Sequence, residues 1–111
     1  MGETPPESLE KDKEAFREAF EEHRKRHGDK FSYFVFPEHA DFRDATLDEA
    51  DFRHAQFSGE AAFGKAQFLA GVDFSYAKFR RDAAFSRTAF SGHAYFVGAE
   101  FSGHAIFSNT R

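Results

Sequence analysis

The chain has 111 residues, enough for one domain with one modest core. Its net charge of −4 is mild and evenly divided: residues 1–30 carry 9 acids and 7 bases, residues 31–111 carry 10 and 8. No strongly charged region therefore marks a phosphate-binding or nucleic-acid surface. The absence of Cys excludes a disulfide framework and thiolate chemistry. Phe is extreme at 17, within a hydrophobic share of only 41%, so the apolar surface is concentrated in one residue type. No apolar run approaches the roughly 18–20 residues that cross a bilayer, and the polar N-terminus is not a secretory signal. Pro6 stands where a myristoylation motif needs Ser or Thr. The expectation is a cytoplasmic protein without a membrane anchor.

Residues 1–7 read as a mobile tail, because Pro5 and Pro6 cannot donate backbone hydrogen bonds and nothing nearby is apolar. The pattern then predicts a helix over 8–28. Ser8 is a candidate N-cap, acids sit early, Arg24, Lys25 and Arg26 sit late, and Gly28 suits C′. Its narrow apolar face comprises Leu9, Ala15, Phe16, Ala19, Phe20 and His23, so the helix must lie against something.

From Lys30 the spacing changes. Large apolar residues recur at 31, 36, 42, 47, 52, 57, 63, 68, 74, 79, 85, 90, 96, 101 and 107, always five or six apart. The residue two before each is small in nearly every case, with Phe34 the first exception. On an extended segment, residues two apart share a direction. Each unit thus points one small and one large side chain inward, then bends. From Phe57 onward five eleven-residue units align without a gap. A hendecad helix is the competing reading, since eleven residues at about 100° each nearly close a whole number of turns. It would set the second Phe of each unit about 120° from the first, and it would place repeated Ser-Gly pairs inside a helix, where Gly is unfavourable.

Residues 40–59 read ADFRD, ATLDE, ADFRH, AQFSG. This resembles the pentapeptide-repeat family, over about 31–111. The resemblance implies a mainly β fold: a right-handed, four-sided parallel β-helix with four units per coil, here just under four coils, to which the helix over 8–28 is added as an N-terminal cap. The chain departs from the five-residue unit by extra residues at His39, Glu60, Gly71, Asp82, His93 and His104. In four-unit register His39, Glu60, Asp82 and His104 share one corner, and Gly71 and His93 share the opposite one. They are read as corner bulges. Both ends of a solenoid expose unpaired backbone. The helix is the expected cap for the first coil, with Phe16 and Phe20 over Phe31 and Phe36. The repeat reaches Arg111 without a matching cap, so another molecule or further chain is expected over that end.

Catalytic chemistry has no candidate: there is no Cys, no GxSxG and no phosphate-cradling glycine loop. His23 and His27 are spaced to share a metal, but the intervening Arg-Lys-Arg repels a cation and no third ligand is evident. No cofactor is expected. The acids Glu38, Asp41, Asp44, Asp48, Glu49 and Asp51 make the first coils negative, while Lys78, Arg80, Arg81 and Arg87 make a later coil positive. Outward positions become more apolar toward the C-terminus: Ala84, Ala89, Tyr95, Val97 and Ile106, joined by the ring of Phe107. These six form the candidate self-association surface. The sequence-level reading is a non-enzymatic interaction module forming a homodimer or an end-to-end oligomer, without direct nucleic-acid binding. The alternative follows from the resemblance alone: some pentapeptide-repeat proteins mimic DNA and bind type II topoisomerases such as gyrase.

Overall fold

The computed structural model describes residues 6–111, with side chains from residue 14 onward. The expected tail lies outside that range except for its last two residues, which are helical. The helix, α1, runs Pro6–His27. It opens earlier than Ser8 because proline suits the first helical position, where its missing N–H has no partner to lose. The stop is as the sequence implies: Gly28 adopts φ 66° and its N–H bonds to the carbonyl of Arg24 at 2.8 Å.

Among the described side chains the buried face of α1 is narrower than the sequence pattern, of which Leu9 lies outside them. Ala15 and Ala19 are exposed, while Phe20 is buried and Phe16 and His23 are half-buried. Phe20 stacks on Phe31 at 5.7 Å and meets Phe42 edge-on at 5.0 Å. Phe16 meets Phe42 edge-on at 5.3 Å and lies 6.3 Å from Phe36. His23 stacks on Phe31 at 4.4 Å and stands against Phe34 at 5.0 Å. That contact accounts for Phe34: large where the pattern wants small, it lies on the rim under the helix rather than inside. Arg24 Nε pairs with Asp29 Oδ1 at 2.7 Å, and Asp29 Oδ2 accepts the N–H of Asp48 at 2.7 Å, tying the helix end to the first coil.

Two-residue strands follow, four to a turn. The first turn has β1 (Val35–Phe36), β2 (Ala40–Asp41), β3 (Thr46–Leu47) and β4 (Ala50–Asp51). The second has β5 (Gln56–Phe57), β6 (Ala61–Ala62), β7 (Gln67–Phe68) and β8 (Val72–Asp73). The third has β9 (Lys78–Phe79), β10 (Ala83–Ala84), β11 (Ala89–Phe90) and β12 (Ala94–Tyr95), and β13 (Glu100–Phe101) and β14 (Ala105–Ile106) begin a fourth. All pairings are parallel and in register, in four sheets: β1-β5-β9-β13, β2-β6-β10-β14, β3-β7-β11 and β4-β8-β12. This is a four-sided parallel β-helix of about three and a half turns, slightly shorter than the sequence count. Arg111 extends the third face, exchanging backbone bonds with Thr88 and Phe90.

The interior is four columns of large side chains. Phe42, Phe63, Phe85 and Phe107 stack at 4.9, 5.0 and 4.9 Å with planes within 4°. Phe36, Phe57, Phe79 and Phe101 stack at 4.8, 4.7 and 4.8 Å. These separations are the strand spacing itself, so the backbone ladder sets the ring stack. Rings of neighbouring columns meet edge-on or tilted, for example Phe63 on Phe74 at 85°, so both favourable aromatic geometries recur. Thr88 is buried at a position held by Ala45 and Ala66 in the two preceding coils; its hydroxyl donates to the carbonyl of Phe63 at 2.7 Å, which removes the cost of an unpaired buried polar group.

Two kinds of corner alternate around each turn. At the insert corners, Gly92 passes so close to the coil above that a Cβ would fall 1.9 Å from the carbonyl oxygen of Ala70. The other two corners are turns closed by i→i+3 backbone bonds, such as Ala45 N–H to the carbonyl of Phe42 at 3.2 Å. Their third residue is left-handed, as at Asp44, Lys65, Arg87 and Asn109 on one corner and Tyr33, His54 and Tyr76 on the other.

Candidate functional site

The Ala-Asp-Phe-Arg motif explains itself locally. Asp41 Oδ1 accepts the N–H of Arg43 at 3.1 Å just before the turn, and the Arg43 guanidinium grips the same carboxylate at 2.8 and 2.9 Å. Asp51 and Arg53 repeat this geometry. Asp73 keeps the cap, on Ser75, without the cation. The hydrogen bonds from Arg43 hold the Asp41 carboxyl at a pKa of about 2 despite its burial. Arg53 lowers Asp51 in the same way. The acids expected to make the first coils negative are thus partly neutralised in place.

The insert corners stack as the register predicts. His39 Nδ1 lies 3.6 Å from Glu60 Oε1, and His104 Nδ1 lies 3.3 Å from Asp82 Oδ1. Asp82 also accepts the backbone N–H of His104 at 2.9 Å, the larger cause of its lowered pKa. His93 is on the opposite corner. His23 and His27 have ring centres 4.9 Å apart, but His23 Nε2 is engaged with the Lys30 carbonyl. Among the described residues no group of three or more His, Asp or Glu is gathered in a metal-binding arrangement.

The six candidate surface residues divide. Ala84 and Ile106 are neighbours on the second face, Ala89 lies on the third, and Tyr95 lies on the fourth, across the solenoid from Ile106. Val97 follows at the next corner. Ala84 and Ala89 are half-buried; Tyr95, Val97, Ile106 and Phe107 are exposed. The six do not share one side of the molecule. What four of them share is the last coil, where Phe90, Phe96 and Phe101 are also only partly covered. The edges of β12, β13 and β14 lie there without a further strand among the described residues.

The left-handed corners carry two surfaces that the sequence reading missed. On one, the rings of Tyr33, His54 and Tyr76 stack outside the core at 4.6 and 5.1 Å, with planes within 12°, and Gly98 is the fourth rung. On the opposite corner the rungs are Asp44, Lys65, Arg87 and Asn109. The available signal was position: each is two residues after a Phe, and 54/76 and 65/87 recur at the 22-residue length of a coil.

Short strands, four parallel faces and interior columns define a repeat solenoid whose distinct chemistry lies on its corners and on its last described coil. The sequence model for pentapeptide repeats (nine copies) matches residues 31–78 and 74–111, and the chain belongs to that family. Members of the family are generally non-enzymatic. Neither a curated protein nor a solved structure matches the chain. No helix among the described residues is long and apolar enough to cross a membrane.

Proposed function

We propose that this chain is a non-enzymatic interaction module that self-associates by apposing the last coils of two copies. The observation that carries the reading is the state of that coil: Phe107 stacks on Phe85 through one ring face and is 43% exposed, beside the edges of β12, β13 and β14, which pair with no further strand among the described residues. A second copy suits this end because the two meeting surfaces are then the same set of rings and strand edges, a self-complementary contact of the two-fold kind. Burying such rings supplies roughly 1.5–3 kcal/mol each, before the cost of association. The module reading needs no activated nucleophile. The DNA-mimic reading gains no support from the outer surface, where Arg43 and Arg53 cover Asp41 and Asp51 and one corner presents Lys65 and Arg87.

The chain has no Cys, so a single introduced thiol reports position cleanly. Ser108→Cys, at the exposed last corner, is expected to give a covalent dimer with a short bis-maleimide, while Lys25→Cys, on α1, is expected to stay monomeric under the same conditions. Dimer from Lys25→Cys alone would place any contact at the opposite end and reject the reading.

A further inference from the structure

Lys65 and Arg87 stand on successive rungs of the corner between the second and third faces. They are one strand spacing apart, about 4.8 Å along the solenoid. Like charges on adjacent rungs destabilise each other. Both residues also hold left-handed backbone (φ 61° and 59°), which ordinary side chains enter only at a cost. Neither is neutralised: among the described residues the ion pairs engage Arg24, Lys25, Arg26, Arg43 and Arg53, but not Lys65 or Arg87.

Further cations converge on this ridge from both sides. On one flank a concavity of about 510 Å³ runs between the ridge and Arg17 of α1, whose guanidinium lies on the Arg43 carbonyl. On the other flank a concavity of about 600 Å³ runs between the ridge and Arg111, with Gln67 and Asn109 in its wall. Arg17, Lys65, Arg87 and Arg111 are distant in sequence, so an even charge count along the chain hides the cluster that the coil assembles. Asp44 is the one acid in the two linings.

We propose that this ridge binds a compact anion carrying two or more phosphate groups. Guanidinium groups pair with phosphate oxygens bidentately, and Arg is favoured where that geometry matters. A diphosphate or triphosphate concentrates several negative charges within the span of two rungs, as the two stacked cations require. The concavities have the size of small-molecule sites rather than of a duplex. Binding relieves the repulsion between Lys65 and Arg87, which lie on the sides of the second and third coils.

The test is calorimetric titration of sodium tripolyphosphate into the whole chain at low ionic strength, where exposed charge pairs are least screened. Saturable binding is expected, weakened by roughly tenfold or more in Lys65→Gln/Arg87→Gln and unchanged in Lys78→Gln/Arg80→Gln on the first face. Arg17→Gln, outside the strained turns, is expected to weaken binding as well and serves if the double variant misfolds by circular dichroism. Adenosine triphosphate distinguishes the source: tighter binding than tripolyphosphate assigns the site to a nucleotide, equal or weaker binding to a phosphate chain alone. No saturable heat up to about 1 mM ligand, or equal loss in the first-face control, overturns the proposal.

Discussion

At the first coil, Phe31 and Phe42 are as buried as rings in the middle of the solenoid, because Phe16, Phe20 and His23 of α1 lie across them. At the last coil, Phe107 occupies the same column as Phe42, has the same backbone and the same stacking distance to its neighbour, and is 43% exposed. The repeat is indifferent to which end it is on; the difference comes from what is laid over it. A solenoid unit buries only one ring face against each neighbour, so each end needs a lid from outside the repeat. Here α1 supplies the lid of the first coil, with a Phe-Phe-His face at i, i+4 and i+7.

That contrast makes ring truncation position-dependent. Phe63→Ala, in mid-column and fully buried, is expected to cost about 3–5 kcal/mol. Phe107→Ala, with one face already open, is expected to cost about a third of that in dilute protein, measured by urea unfolding. Equal costs would mean that the end is covered in solution even when dilute. Next in size is the lid: Phe20→Ala is expected to destabilise by about 3 kcal/mol, because a buried ring touching Phe31 and Phe42 is lost. It should also raise amide exchange in β1 and β2 more than in β13 and β14. Uniform loss of protection would instead show that the solenoid opens as one unit without a separable cap.

Charge pairs extend the comparison at smaller amplitude. Arg43→Gln is expected to cost about 1–2 kcal/mol near neutral pH, since Asp41 is buried and keeps only its backbone donor. The carboxyl titrates near 2 when folded, below the usual unfolded value of about 3.9. The stability the pair contributes is therefore complete above about pH 4 and lost as the pH falls toward 2. The Arg43→Gln variant should lose less stability than the parent across that window, read from acid titrations followed by circular dichroism. His104→Gln, at the exposed end, is expected to leave the urea unfolding midpoint unchanged, because the exposed Asp82 keeps its bond from the backbone N–H of residue 104.

Much of this architecture was legible in the chain. A Phe every five or six residues, with Ala two before it, has only one economical placement once strand alternation is applied, and the columns follow. The extra residues at Glu60, Asp82 and His104 announced their shared corner through their 22-residue spacing. The left-handed corners were not legible, because glycine marks such backbone in sequence and Tyr33, Lys65, Tyr76 and Arg87 do not. The aromatic ladder and the cationic ridge both sit on those turns, so both were missed together. Ala15 and Ala19 were overcounted because a helix lying on a narrow, ring-topped end buries one line of large side chains rather than a broad face. The six candidate interface residues share apolar character along the chain, and the four-sided coil sends them to different faces.

The measurement that bears most directly on the account is absolute molar mass by light scattering on a size-exclusion column, for the chain and for Ile106→Glu. A mass of about 25 kDa is expected, twice the 12.7 kDa of one chain, falling to the single-chain value in the variant. A mass of 12.7 kDa for the unaltered chain at every concentration, or a dimer that Ile106→Glu leaves intact, would contradict it.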